Sequence, residues 1–392
     1  MTSSVRLGVI GCGGIARHHR SYFAQIDGLV LAGAADALPE AAGDYLAQAP
    51  ELTPVAPDAQ AYSSGASLIE SGQCDAVLIA TPHHDHPRLA AAALEAGLHV
   101  LVEKPIAVSV ADADALLEAR SRFPDPVFAA MFNQRTHPIW RTVKSLIDDG
   151  RLGELRRTAW TITDWFRTHA YYASGGWRAT WKGEGGGVLL NQCPHNLDLF
   201  QWFAGMPRRV RAVVGLGRRH PIEVEDEVTA VLEYGNSATG TFITGTGEAP
   251  GENRVVLVGD RATVVATLGG PGAGGTAGGA SSGGTVTLYA CQTPVSAFLR
   301  TSPEPFGKPE VVTHDLTPSG EFEDHLAITR NFVNAIRHGE PLIAPAEEGV
   351  HGLELGNAML LAGLEDRAVD LPLCRSAYAK RLDALVAGSA GG

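Results

Sequence analysis

The sequence predicts an α/β protein in two parts: an N-terminal doubly wound parallel sheet, then a C-terminal α+β domain built on an open, mostly antiparallel sheet. Three observations predict it. Short apolar runs alternate with helical stretches over the first third of the chain, a glycine-rich turn follows the first of those runs, and the later segments are longer alternating strands separated by hairpin-type turns. At 392 residues the chain is also too long for one ordinary domain, because about 150 residues per domain gives two to three.

The elements follow in order. Val5–Ile10 is an apolar run, Gly11-Cys12-Gly13-Gly14-Ile15-Ala16 reads as a tight turn, and the mixed segment after it is long enough for a helix. Further apolar runs are Leu29–Ala35, ending in Asp36; Ala76–Ala80, ending in Thr81-Pro82; His99–Val102, ending in Glu103-Lys104-Pro105; and Val127–Phe132. The Ala-rich stretch Pro87–Ala96 reads as a helix stopped by Gly97. Short apolar strands separated by helices suit a parallel sheet covered on both faces, so the first domain is expected over residues 1–135. A helix over His137–Asp149 opens the second, residues 136–392, whose strands include Arg156–Trp165, Val210–Gly215, Val228–Tyr234, Thr239–Thr244 and Arg254–Val258. Gly235-Asn236 and Gly259-Asp260 mark antiparallel hairpins, and Glu323–Arg337 and Glu347–Leu364 supply later helices. Residues 269–284 are almost entirely Gly, Ala, Ser and Thr. They hold too little apolar surface to order themselves and are expected to form a flexible loop between strands.

Composition narrows the function. Hydrophobic residues make up 45% and charged ones 19%, the balance of a chain that buries a large core. A formal net charge of -12 repels nucleic acid and anionic membranes, and no apolar stretch reaches the roughly 18 residues needed to span a bilayer. A small neutral substrate fits better than either. Cys12, Cys74, Cys193, Cys291 and Cys374 are odd in number and show no C-x-x-C spacing, which points to thiols in a reducing compartment rather than a disulfide or zinc framework. Met1–Arg6 runs straight into an apolar strand, without a secretory n-region and h-region. A cytoplasmic location is expected.

Gly11-x-Gly13-x-x-Ala16, placed after a strand and opening a helix, permits a tight turn and close approach of backbone to a pyrophosphate. Asp36 ends the second strand, where a carboxylate accepts from the adenine-ribose hydroxyls. This is the layout of a Rossmann dinucleotide site. The carboxylate repels a ribose 2'-phosphate and Ala37-Leu38 supply no positive charge, so NAD is favoured over NADP.

Ala80-Thr81-Pro82 with His86, then Ala96-Gly97-Leu98-His99-Val100-Leu101-Val102-Glu103-Lys104-Pro105, closely resembles the Gfo/Idh/MocA family, named from glucose-fructose oxidoreductase and inositol dehydrogenase. The resemblance covers nearly the whole chain. It extends to Asn133 and Arg135, the turn at residues 149–153, Gly187–Asp198 and the ending Val369-Asp370-Leu371-Pro372. It implies a cofactor set of Gly11, Gly13, Gly14, Ile15, Asp36, Thr81, Pro82, His86, Glu103 and Lys104. Lys104 is the first-choice catalytic residue, because an ammonium beside the nicotinamide can bond the reacting oxygen and stabilise developing alkoxide character. In Leu190-Asn191-Gln192-Cys193-Pro194-His195 the resemblance implies a histidine proton acceptor, His195, supported by the residue four earlier. Many relatives have Asp there. This chain has Asn191, which bonds but carries no charge, and at helical spacing the two are expected to share a face.

Trp160, Trp165, Trp177 and Trp181 fall in one stretch with Phe166, Tyr171, Tyr172 and Arg178, a composition suited to the CH face and hydroxyls of a sugar ring. The substrate set is Lys104, Asn133, Arg135, Trp165, Tyr172, Arg178, Asn191 and His195. His83-His84-Asp85-His86 is not expected to share a metal ion, since neighbours on a turn point apart; His86 is expected to shape the cofactor-side loop, and His18-His19 to lie on a solvated helix face. The leading expectation is hydride exchange between NAD and a ring alcohol of a sugar, glycoside or cyclitol. Glycoside cleavage through transient ring oxidation and a non-catalytic dinucleotide sensor are the alternatives. A homodimer or homotetramer is expected, by resemblance and because an open sheet leaves apolar surface uncovered.

Overall fold

The computed structural model describes residues 4–48, 53–269 and 283–389, and these form two compact units: residues 4–136 with Glu323–Leu353, and His137–Phe322 with residues 354–389. Of the glycine-rich stretch, residues 270–282 lie outside the described residues.

In the first unit the strands are β1 Val5–Ile10, β2 Leu29–Ala35, β3 Val55–Tyr62, β4 Ala76–Ile79, β5 His99–Val102 and β6 Phe128–Ala130. They lie in the order β3-β2-β1-β4-β5-β6 and all pair in parallel. The order reverses between β1 and β4, the switch point where ligands bind beyond the carboxyl ends of an open α/β sheet. Val9, Leu78, Val100 and Leu101 are fully buried, as strands covered on both faces must be. The sequence reading did not name β3. It is an edge strand, mostly exposed and interrupted by Pro57 and Asp58, so it lacks the apolar run that marks its neighbours. Gly97, with φ of +78°, follows the helix His86–Glu95. A single cut after residue 135 misses one component of this unit: Glu323–Leu353 joins it from far along the chain. The helix Asp324–His338 buries Ile328, Phe332 and Val333, and Ala130 N–H donates to the Ala344 carbonyl at 3.0 Å, so this segment covers surface that β5 and β6 would otherwise expose.

In the second unit the strands are β7 Leu155–Ile162, β8 Arg209–Leu216, β9 Glu225–Glu233, β10 Thr239–Gly245, β11 Asn253–Gly259, β12 Ala262–Leu268, β13 Gly284–Cys291, β14 Val311–Asp315 and β15 Val369–Asp370. They form one sheet, β14-β13-β12-β11-β7-β10-β9-β8-β15, antiparallel except for β7 with β10. Trp160, Phe242, Leu257 and Val264 are fully buried on one face, packed by the helices Pro138–Asp148 and Pro194–Ala204. The Gly235-Asn236 and Gly259-Asp260 turns join antiparallel neighbours, β9 to β10 and β11 to β12. β7 stops at Ile162, so Trp165 lies beyond the strand. Among the described residues no helix is long and apolar enough to cross a membrane.

Candidate functional site

In the first unit, Gly11 has φ of +91°, and a Cβ there would lie 2.6 Å from the Ala80 carbonyl oxygen. Both the turn and the close approach of the two strand ends require glycine. At Gly13 and Gly14 an added Cβ would meet nothing within 4 Å. Their bareness answers no packing need of the chain, and it leaves exposed backbone open to a pyrophosphate. Asp36 is fixed by two backbone donors, Cys12 N–H to Oδ2 at 2.8 Å and Leu38 N–H to Oδ1 at 2.9 Å. Each oxygen keeps a lone pair for a ribose hydroxyl. At the end of β4 the Thr81 hydroxyl is buried without a hydrogen-bond partner, and Ile15 and Pro82 are exposed. An open glycine turn, an anchored carboxylate and an orphaned hydroxyl around one switch point fit a bound dinucleotide.

His86 and Glu103, expected among the cofactor contacts, serve the chain itself. The buried His86 ring stands between two carbonyls, Nε2 at 2.8 Å from that of Thr81 and Nδ1 at 2.8 Å from that of Pro105. It ties the turn after β4 to the turn after β5. Burial lowers its pKa, although both carbonyls work the other way. Glu103 spends both oxygens inside the unit: Oε1 lies 2.7 Å from His19 Nε2, and Oε2 accepts from the Lys104 backbone N–H at 3.2 Å. Burial opposes its charge, yet the His19 bond and the nearby cationic groups bring its carboxyl down to about 2. The Lys104–Pro105 peptide is cis.

The same unit corrects the reading of His18-His19. His18 is exposed, but His19 is wholly buried, because the short helix Gly14–Arg20 turns that position toward Glu103 and Tyr22. His19, Glu103 and His325 bring ligand-type atoms within 4.8 Å of one another, as do His18, Asp324 and His325, whereas the run His83–His86 forms no such group among the described residues. His19 and Glu103 are directly hydrogen-bonded, which is not the arrangement of two ligands around one ion. Asn133 is buried and donates through Nδ2 to Asp324, and its Oδ1 has no hydrogen-bond partner. Arg135 is buried and ion-paired with Glu348, with a second bond to the Ile343 carbonyl at 3.3 Å. That guanidinium clamps the C-terminal segment of the unit.

In the second unit the helix Pro194–Ala204 starts at Pro194. The ring lacks an N–H and disfavours helical geometry in the residue before it, so Asn191 stands ahead of the helix and does not share a helical face with His195. Asn191 Nδ2 donates to Glu184 Oε1, while Glu184 Oε2 accepts from Ala179 N–H at 2.7 Å. A buried carboxylate thus lies directly against Asn191. Glu225 braces the same loop, accepting from Gly187 N–H at 2.9 Å and Leu189 N–H at 3.1 Å. Burial pushes its carboxyl up to about 7 against those bonds, with Glu184 adding to the effect.

Of the clustered aromatics, Trp160 and Trp181 are core, and Trp165 and Trp177 reach the surface. Trp165 Nε1–H donates to Asn196 at 3.4 Å. Arg178 stacks over Tyr171 and Trp177 at 5.0 and 4.9 Å and donates to the Tyr171 hydroxyl at 3.1 Å, which Gln192 also approaches at 3.3 Å. A cavity of about 590 Å³ is walled by His169, Tyr172, Arg178, Thr180, His220 and Glu223 among others. It gathers two of the expected substrate residues, Tyr172 and Arg178, but Trp165, Asn191 and His195 are not in its walls. Asp164, whose carboxyl burial raises to about 6 and whose Oδ1 has no partner, went unnoticed in the sequence along with Glu184 and Glu225. An isolated acidic residue carries no periodic or motif signal.

Residues 5–128 match the profile of an oxidoreductase family with an NAD-binding Rossmann fold, and residues 140–265 match the GFO/IDH/MocA C-terminal domain. Among curated proteins the chain is 28% identical over 213 residues to the levoglucosan dehydrogenase of Pseudarthrobacter phenanthrenivorans, covering 48% of this chain and 54% of that one. It is 27% identical over 201 residues to the myo-inositol 2-dehydrogenase of Thermotoga maritima, covering 51% and 55%. The chain thus spans about half the length of these relatives. Among solved structures, the WlbA dehydrogenase of Bordetella pertussis in complex with NADH and UDP-GlcNAcA superposes with a TM-score of 0.74 at 24% identity, covering 95% of this chain and all of that one. Levoglucosan dehydrogenase with NADH and levoglucosan gives 0.73 at 20%, covering 94% and 100%. These last two show a shared fold. With a parallel sheet whose glycine turn fits a dinucleotide and a partnering mixed-sheet unit, both matched by their own profiles, the chain belongs to the Gfo/Idh/MocA family of oxidoreductases.

Proposed function

We propose that this protein is a dehydrogenase that exchanges a hydride between NAD and a ring secondary alcohol of a sugar, glycoside or cyclitol. The observation that carries the reading is Lys104, held by its backbone to the buried Glu103 at the end of β5, in the unit whose glycine turn fits the dinucleotide. Gly11, Gly13, Gly14 and Ile15 cradle the pyrophosphate, Asp36 takes the ribose hydroxyls and selects NAD over NADP, and Thr81 and Pro82 flank the cofactor. NAD, when bound, accepts or returns the hydride. Lys104 donates to the reacting oxygen and His195 takes or returns its proton, with Asn191 backed by Glu184 supporting that loop. Tyr172, Arg178 and Trp165 supply aromatic faces and a donor for ring hydroxyls. The relatives' names, which include a levoglucosan and an inositol dehydrogenase, support the substrate class.

A second copy of the chain covers the open sheet face. Val213, Val231 and Tyr289 are 62%, 48% and 38% exposed there, on the same side as half-buried Ile243, Val256 and Val265. Five cysteines without a disulfide accord with a cytoplasmic setting.

The test is incubation with NAD or NADP and a panel of inositols, aldoses and glycosides, followed at 340 nm and by chromatography, with Lys104→Ala alongside. NADH formation that disappears in the variant is expected. Glycoside cleavage without net NADH would replace this reading with transient oxidation, and tight NAD binding without turnover would replace it with a sensor.

A further inference from the structure

The first unit contains a hydrogen-bonded chain that reaches Lys104 through Tyr22 and His19, two residues to which the proposed reaction gives no role. It begins at the Tyr22 hydroxyl, which bonds His19 Nδ1. His19 Nε2 faces Glu103 Oε1 at 2.7 Å, and Glu103 Oε2 accepts from the Lys104 backbone N–H at 3.2 Å. Tyr22, His19 and Glu103 are 6%, 0% and 5% exposed, so water does not compete for these bonds.

The hydrogens can be placed by counting donors. A carboxylate offers none and a phenol offers one. The Tyr22 hydroxyl also lies 3.3 Å from Thr329 Oγ1, which donates to the His325 carbonyl; because burial disfavours an imidazolium, Tyr22 donates to Nδ1, and the ring carries its proton on Nε2 and donates it to Glu103. A neutral imidazole satisfies both neighbours, and burial lowers the His19 pKa in agreement. The remaining titratable neighbours are His325, whose ring lies 5.3 Å from that of His19 and whose Nδ1 is 2.9 Å from Asp324, and His18, at 6.5 Å.

We propose that His19 is a positioning residue for Lys104: by donating to Glu103 it locks the carboxylate that holds the Lys104 backbone, and so sets where the ammonium points. The inference rests on the dehydrogenase reading for its kinetic consequence, but its structural part does not. A carboxylate with one anchored oxygen can hold a backbone N–H through the other in a single orientation. Without the anchor, Glu103 can rotate, the turn after β5 relaxes, and Lys104 loses its register although its own side chain is intact.

The test compares His19→Phe, which removes both bonds and keeps a ring, with His19→Gln, whose amide can replace the Nε2 donor. The chain has five lysines, Lys104, Lys144, Lys182, Lys308 and Lys380, so reductive ¹³C-dimethylation gives a spectrum simple enough to assign Lys104 by its loss in Lys104→Arg. In His19→Phe the Lys104 resonance is expected to move and kcat to fall roughly 10- to 100-fold, with KM and the NAD dissociation constant within about threefold. His19→Gln should restore the resonance and bring kcat to within about threefold of wild type. An unmoved Lys104 resonance in His19→Phe would overturn the proposal, as would an equal loss of kcat in both variants. If His19→Phe does not fold, Glu103→Gln is the second variant, expected to move the same resonance, and an unmoved signal there again overturns it. If no sugar is turned over even by wild type, the dehydrogenase reading fails while the resonance still decides the positioning role.

Discussion

Glu103 and Glu225 are both buried, and each holds a loop that leads to a residue of the proposed chemistry, yet their carboxyls are driven in opposite directions. Glu103, in the first unit, meets a histidine donor and the electrostatic pull of His325 and Lys104, and comes down to about 2. Glu225, in the second, meets backbone N–H groups, those of Gly187 and Leu189 and its own, sits near Glu184, and goes up to about 7. Burial is nearly complete in both, so desolvation does not separate them. Neighbouring charge does. A carboxylate with nearby cations remains an anion and can hold its loop at any ordinary pH, whereas one bonded only to backbone and near another carboxylate releases its proton near neutrality.

Gly187→Ala should break this comparison most severely. A Cβ there would lie 1.9 Å from the Glu225 carbonyl oxygen and 3.0 Å from its backbone nitrogen, so backbone must move away from backbone. The expected cost exceeds about 4 kcal/mol or prevents folding, read as soluble yield and urea midpoint. A midpoint equal to wild type would show that the loop does not need this close approach.

Next comes His19→Phe, which should make Glu103 behave more like Glu225. Removing the donor leaves a buried carboxylate short of a partner, at a cost of about 2–3 kcal/mol near pH 7. The sign of the pH effect is definite. A depressed carboxyl contributes stability that is present above its ordinary value of 4.5 and is lost as pH falls toward about 2. In the variant that acid loss should shrink, so wild type and variant converge as pH is lowered. Denaturant midpoints at pH 7 and about pH 3, inside that window, check it, and parallel curves would contradict it.

Glu225→Gln sharpens the other side. A raised carboxyl keeps its proton in the native state after the unfolded chain has released its own, so stability falls as pH rises from 4.5 to about 7 and then levels. The variant should lose that slope, a difference on the order of 3 kcal/mol across the window. Melting temperatures between pH 5 and 8 measure it, and an unchanged slope would place the titration elsewhere. Tyr22→Phe is the smallest step. It deletes the far end of the His19 chain and should cost about 1 kcal/mol by urea unfolding, without the kinetic loss expected of His19→Phe.

Much of the fold was legible because its signals are local. Apolar runs separated by helices mark β1, β2, β4 and β5, and the glycines at 235 and 259 mark two hairpins. β3 escaped because an edge strand buries too little to show a pattern. The proposed site is read from the sequence where a motif carries it, at Gly11, Gly13, Asp36 and Lys104. It was illegible where function depends on what a side chain meets. His19 looked like half of a solvated pair, and only its burial against Glu103 distinguishes it from His18. Asn191 looked like a helical neighbour of His195 until Pro194 started the helix after it.

By itself the sequence determined the two-part α/β plan, the dinucleotide turn and the family, since these rest on periodicity, on glycine's conformational freedom and on contiguous motifs. Tertiary structure alone decided that Glu323–Leu353 belongs with the first unit, that His86 links two turns, that Glu184 lies against Asn191, and that two buried glutamates carry opposite tendencies. Each of these depends on contacts that no local pattern announces, some of them between residues far apart in the chain, where burial and neighbouring charge decide what a polar side chain does.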